Sequence, residues 1–331
     1  MFPTSRILFP GFFCRVAAVF LACVIMQLPD DLRAAPARAS AREIWKAGGM
    51  SVTAIQDLPG ETEVSIFRGP ASEAAREQYF NKGKAEAGYN VFLLRGGGKI
   101  ALFDAGNGTV RQTPGKLPEI LADLGVKPED VDFVLLTHLH LDHVGGLLEG
   151  KNRAFSKARL MVSKPEIAYW TALAGKDPGN RNAAFVKAVI KAYGPDVLPP
   201  FDFGDILLPG VTALDASGHT PGHTAFQVEA PGDATGVLYP LDTPGHERPQ
   251  DGAGGKSLLI IGDLIHGTPL QFALPDECAV YDIDPTKAVL ARKRILNLAE
   301  QKGIPVAGMH LPFPGGGKVE RDGRAWKFER Q

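Results

Sequence analysis

Thr137-His138-Leu139-His140-Leu141-Asp142-His143-Val144-Gly145-Gly146 sets three imidazoles and a carboxylate within six residues, directly after an expected buried strand, 131–136. The chain of 331 residues holds only eight histidines, so a solvated polar turn is a poor account of this concentration. In extended backbone, side chains two apart share a face, so His138 and His140 point the same way while Leu139 and Leu141 pack behind them. At the end of the strand 131–136 the chain is expected to turn into a helix through Val144-Gly145-Gly146, and this change of period re-aims Asp142 and His143. Four groups on one smooth strand cannot converge on a point, whereas a strand end followed by a turn serves two adjacent ions. Imidazole and carboxylate without thiolate suit zinc, iron, manganese or cobalt rather than a structural cysteine–zinc site.

Three further segments follow in order. Ser217-Gly218-His219-Thr220-Pro221-Gly222-His223-Thr224 is a histidine-bearing turn, Leu258-Leu259-Ile260-Ile261-Gly262-Asp263 an apolar strand ending in Gly-Asp, and Pro305-Val306-Ala307-Gly308-Met309-His310 a short strand ending in histidine. Together with the first cluster they resemble, from about residue 88 to 316, the signature motifs of the metallo-β-lactamase superfamily of binuclear hydrolases. The resemblance implies an α+β fold of the αββα sandwich type, with metals at the sheet edge on strand-end loops. It implies two divalent ions, zinc foremost with manganese, cobalt or iron also compatible. His138, His140 and His219 would hold one, Asp142, His143 and His310 the other, and Asp263 would bridge them. A hydroxide between the ions would be the nucleophile, with Asp142 or Asp263 taking up the proton as the leaving group departs. Asp104, Thr137 and His223 are expected to orient ligands, His266 to reach the pocket mouth, and His246 to be solvated in a Gly/Pro-rich loop. No Gly-x-Ser-x-Gly motif competes with this chemistry.

A bridging aspartate is unlike the true β-lactamases and like the glyoxalase II, lactonase and organophosphate-hydrolase branches. Gly262-Asp263-Leu264-Ile265-His266 followed by Gln271-Phe272, and Met309-His310-Leu311-Pro312-Phe313-Pro314-Gly315, resemble the branch of methyl parathion hydrolase and its lactonase-like relatives. Cleavage of lactone, ester or phosphotriester bonds is therefore expected, in a pocket walled by Trp170, Phe201, Phe203, Phe272 and Phe313. Three alternatives stand beside it: a β-lactam hydrolase, a mononuclear iron persulfide dioxygenase, and a catalytically dead metal-binding protein. The complete set of seven ligand candidates speaks against the last.

An apolar fraction of 44% and a charged fraction of 22% suit one globular catalytic domain over residues 40–331. Residues 1–39 read as a secretory signal: Arg6 and Arg15, then the apolar run 16–28, then Ala37-Arg38-Ala39 as a cleavage site. That run falls short of the roughly 20 residues that span a bilayer, so no stable anchor is expected after removal. Cys14 and Cys23 leave with the signal and Cys278 alone remains, so export to a bacterial periplasm comes here without an internal disulfide. The remainder holds 32 basic and 35 acidic side chains, a net charge of −3, which argues against a nucleic-acid substrate; the resemblance implies a small-molecule substrate, and a homodimer stays open. Strands are expected near 51–56, 63–68, 89–95 and 99–103, and helices near 116–124, 164–174, 182–192 and 285–301. Asp322-Gly323 signals a hairpin.

Overall fold

Segments apolar on both faces need cover on both sides, and Val91-Phe92-Leu93-Leu94 and Ala101-Leu102-Phe103 are such segments. The computed structural model describes residues 40–230 and 257–331, and places both segments in the middle of a six-stranded sheet. Its strands are β1 (Ala41–Ala47), β2 (Met50–Glu63), β3 (Lys84–Gly96), β4 (Lys99–Phe103), β5 (Phe133–Leu135) and β6 (Arg159–Met161), side by side in chain order. A second sheet of seven runs β7 (Ile206–Leu208), β8 (Val211–Asp215), β9 (Thr224–Glu229), β10 (Ser257–Ile260), β11 (Val306–Ala307), β12 (Gly316–Asp322) and β13 (Ala325–Arg330). Neighbours are antiparallel except β4–β5, β5–β6 and β10–β11, which are parallel.

Among the described residues there are seven α-helices: α1 (Glu73–Glu77), α2 (Leu117–Asp123), α3 (Leu141–Val144), α4 (Lys164–Lys176), α5 (Arg181–Tyr193), α6 (Leu270–Ala273) and α7 (Pro285–Lys302). The two-residue period of the strands sorts their side chains into layers. Phe92, Leu94, Ala101 and Phe103 meet Ala213, Phe226, Val228 and Ile260 between the sheets. Val91, Leu93, Leu102 and Val134 face the other way, against Leu121, Trp170, Val186 and Val189 of α2, α4 and α5. Ala225, Leu259 and Val306 pack on Ala291, Ile295 and Ala299 of α7. The result is the αββα sandwich.

Helix α7 shows how local chemistry sets such a layer. Asp284 caps it by accepting from Lys287 N, Pro285 opens it, and Gly303 closes it in the left-handed conformation at φ 62°. Its buried residues Ala288, Ala291, Arg292, Ile295 and Ala299 recur at helical spacing. One of them is charged: Arg292 donates to the carbonyls of Leu264, Pro275 and Glu277, which satisfies a guanidinium that burial would otherwise penalise.

The expected strand 63–68 is a correction. Strand β2 continues to Glu63 opposite Lys84, Val64–Ile66 form a 3-10 turn, and only Phe67–Arg68 pair, with Cys278–Ala279. The Val64 N–H donates to Gly83 O, closing the long hairpin where an alternating pattern alone would have run on. The secretory reading of residues 1–39 and the loop holding His246 lie outside the described residues. Among the described residues no helix is long and apolar enough to cross a membrane.

Candidate metal centre

Parallel strands release their chains at one edge, and the functional residues gather there. Asp104 follows β4, Thr137 and His138 follow β5, Asp263 follows β10, and His310 follows β11. His219 comes from the turn between β8 and β9, so the centre draws on both sheets. His140 precedes the single turn α3, which carries Asp142 and His143.

The nitrogen that each ring commits elsewhere decides what it offers. His143 Nδ1 lies 2.7 Å from Asp104 Oδ2, His219 Nδ1 2.9 Å from Asp282 Oδ1, and His310 Nδ1 3.0 Å from Gly88 O. The Thr137 hydroxyl donates to Asp104 Oδ2 at 2.7 Å and so accepts from His138 Nδ1 at 3.0 Å. With Nδ1–H bound in all four, each Nε2 lone pair is left bare toward the centre. His223 keeps the same tautomer but spends its lone pair: its Nδ1–H donates to Ala216 O at 2.9 Å and its Nε2 accepts from the Asp263 N–H, also at 2.9 Å. It thereby fixes the Asp263 backbone.

The bare atoms converge in two groups. One donor atom each from His138, His140, His219 and Asp263 lies within 4.8 Å of the others, and the same holds for Asp142, His143 and His310. Asp263 stands between them: its Oδ2 is 3.4 Å from His219 Nε2 and 3.0 Å from His310 Nε2, and its Oδ1 is 3.3 Å from His143 Nε2. His143 Nε2 and Asp263 Oδ1 are both buried without a hydrogen-bond partner. His140 Nδ1 lies 2.9 Å from His138 Nε2 and 3.0 Å from His219 Nε2. Lone pairs that crowd one another, and orphaned buried atoms beside them, fit divalent cations of the nitrogen- and oxygen-binding class.

Electrostatics agree with that fit at His140 and Asp263, whereas His143 would give up a proton on binding a cation. Burial, helped by the neighbouring His219, pushes His140 down to about 3, so it is neutral and free to donate its lone pair. Burial likewise takes His223 down to about 3. Burial opposes the charged form of His143 too, but the carboxylates of Asp263, Asp104 and Asp142 outweigh it and raise this imidazole well above its ordinary value. Asp263 is held well below the carboxylate range against its burial by His143, His310 and His138.

A cavity of about 540 Å³ opens onto this edge, with Ile66, Tyr89, Arg111, Leu141, His266 and Tyr281 in its walls. Arg111 stacks 4.5 Å over the Tyr89 ring and donates to Asp142 Oδ2 at 3.4 Å. His266 lines the cavity as expected, stacked on His310 at 5.1 Å with Nε2 3.2 Å from Asp263 Oδ2. The other aromatic wall candidates are corrections. Trp170 lies behind the centre, its indole donating to Glu166, edge-on to His140 at 5.5 Å. Phe272 stacks on Phe328 at 5.0 Å in the α7 layer, and Phe201 and Phe313 pack with the core between the sheets. Phe203 is half-buried outside the cavity lining. A phenylalanine has no polar tip to leave wet, so burial against a sheet is its better place, whereas a tyrosine serves at a mouth.

Asp282 and Glu166 escaped the reading of the sequence. Asp282 is separated from His219 by 63 positions and carries no motif; its other oxygen accepts from Ala279 N at 2.9 Å. Asp282→Ala is expected to free the His219 ring and weaken divalent-cation binding by about 10–100-fold. Chelator competition on the folded variant reads this directly, and unchanged affinity would remove Asp282 from the site.

Residues 86–235 match the model of the metallo-beta-lactamase superfamily. An N-acyl homoserine lactonase of Bacillus sp is 29% identical over 119 residues, 34% of this chain and 39% of its own length. Ribonuclease TTHA0252 of Thermus thermophilus is 33% identical over 256 residues, 70% of this chain and 56% of its own. The chain thus spans well under two thirds of either curated relative. Among solved structures, the hydrolase AbOPH of the beta lactamase superfamily is 26% identical at a TM-score of 0.72, covering 88% of this chain and 97% of its own. AidC, described as a dizinc quorum-quenching lactonase with a bound N-hexnoyl-L-homoserine product, shares the fold at 22% identity and a TM-score of 0.73, with the same coverage of both chains. This chain carries a metallo-β-lactamase superfamily domain.

Proposed function

We propose that this protein is a binuclear metal-dependent hydrolase that opens lactones and cleaves related ester or phosphotriester bonds of small molecules. The observation that carries it is Asp263, whose carboxylate lies between the donor groups His138–His140–His219 and Asp142–His143–His310, with Oδ2 3.4 Å from His219 Nε2 and 3.0 Å from His310 Nε2 and Oδ1 3.3 Å from His143 Nε2. When bound, two divalent cations supply a hydroxide near neutral pH and polarise the scissile carbonyl or phosphoryl oxygen. Asp263 and Asp142 are the carboxylates at hand to receive a proton at the cavity floor. Tyr89, Arg111 and Tyr281 bound the space in which a substrate would be oriented, and His266 lies beside Asp263 on the wall. The lactonase relatives favour lactones as the first substrates to try.

The ribonuclease relative raises a second reading. A polyanion needs a cationic cleft, and these walls set Glu61, Glu63 and Asp142 against Arg111, which favours a neutral small molecule. The test is metal content per chain combined with turnover of a homoserine lactone, an aryl ester, methyl parathion, nitrocefin and a short RNA. Two zinc-class ions with lactone turnover foremost is the expected result. A single iron, or no metal and no turnover, would sink the proposal, and RNA cleavage would move the protein to the nuclease reading.

A further inference from the structure

Glu166 is a wholly buried carboxylate in the first turn of α4, and it is no member of the donor groups. Its Oε1 accepts from Leu139 N at 2.9 Å and from Trp170 Nε1 at 2.6 Å. Its Oε2 accepts from Thr220 Oγ1 at 2.7 Å and Gly222 N at 2.9 Å. Leu139 lies between His138 and His140, and Thr220 follows His219. One carboxylate therefore joins the loop that leaves the first sheet to the turn that belongs to the second. The fit is close, because a Cβ on Gly222 would come under 3.0 Å from Glu166 N and from Ser163 Oγ, whose hydroxyl donates to Gly222 O at 2.7 Å.

The opposite donor group is held by other means. Asp104 fixes His143, the Gly88 carbonyl fixes His310, and the Asn182 side chain accepts from Leu141 N at 3.1 Å. No atom of Glu166 bonds to any of these.

Resting on the metal-centre reading above, we infer that Glu166 is the positioning residue of one cation site only: it sets the spacing of His138 and His140 against His219 and leaves the Asp142–His143–His310 site to Asp104 and Gly88. A glutamine in its place would turn an N–H₂ toward groups that are themselves donors, so the clamp would open even though the volume is kept.

The experiment is stepwise release of Zn²⁺ from the full chain to a chromogenic chelator, with circular dichroism as the check of fold. Glu166→Gln is expected to keep one ion at native affinity and to weaken the other about 10–100-fold. In a His219→Ala background the same change should cost nothing further, whereas in a His310→Ala background it should cost the full amount. Should Glu166→Gln not fold, Thr220→Val removes a single donor and is expected to weaken the same ion about threefold to tenfold. Equal weakening of both ions, native affinity for both, or a full additional loss in the His219→Ala background would overturn the inference. If the unaltered chain binds one Zn²⁺ only, the binuclear reading falls, and the response of that ion to Glu166→Gln still decides the role of Glu166.

Discussion

Asp263→Ala is expected to lower hydrolysis by about 10³-fold or more, the loss of several kcal/mol of metal-assisted stabilisation, and to reduce bound metal from two ions toward one. The side chain faces His143, His219, His310, His138 and His266 and carries no part of the sheet scaffold. What ties this position to the fold is its backbone N–H, which donates to His223 and survives the substitution. Soluble protein with native circular dichroism is therefore expected, with metal content by elemental analysis and turnover as the paired readouts. Two ions at full activity in this variant would refute Asp263 as the bridge.

Gly146→Ala is expected to act on stability instead, by about 3 kcal/mol, at the upper end of the range for overpacking. A Cβ on Gly146 would come under 3.0 Å from the Ala105 carbonyl oxygen, and one on the neighbouring Gly145 would meet the Asn107 carbonyl as closely. Both obstacles are backbone, which cannot swing aside. The Gly146 N–H donates to Gly106 O at 3.1 Å and the Ala105 N–H to His143 O at 2.7 Å, so the two segments are stitched at this point. A shift here reaches the centre, because Asp104 sits on the same segment and holds both His143 and Thr137. The midpoint of thermal unfolding should fall by about 5 °C. A urea midpoint equal to that of the unaltered chain would show that the segments part at little cost, and the close-approach account would fail.

Both expectations show where local sequence suffices and where it does not. Strand β4 occupies Lys99–Phe103, the residues its pattern predicts, because Lys99-Ile100-Ala101-Leu102-Phe103 is a short apolar run after a glycine turn. Helices α4, α5 and α7 fall within two residues of expectation, since caps and helical spacing are local signals. The hairpin at Gly323 forms with Asp322 opposite Ala325. Residues 63–68 were misread because their alternation says nothing of the Gly83 carbonyl that ends the hairpin. The aromatic residues were misplaced for a related reason: Phe272 and Phe313 look alike as pocket walls or as core until a partner such as Phe328 is known.

The sequence by itself determined the chemical kind and order of the donors, because three histidines and an aspartate at strand-end spacing carry their meaning locally, and the later Gly-Asp and terminal histidines repeat it. It also marked Asp104, Thr137 and His223 as candidates to orient them. Only the tertiary structure decided which nitrogen each ring leaves free, since that is set by Asp104, Asp282 and Gly88, brought from distant parts of the chain, and by Thr137, whose hydroxyl Asp104 orients. It alone placed Glu166 between two loops of different sheets and gave the cavity Tyr89, Arg111 and Tyr281 in place of phenylalanines. The physical reason is range: period and capping act over a few residues, whereas the hydrogen bond from His219 to Asp282 joins positions 63 apart and exists only once the loop before α7 has packed on the β8–β9 turn.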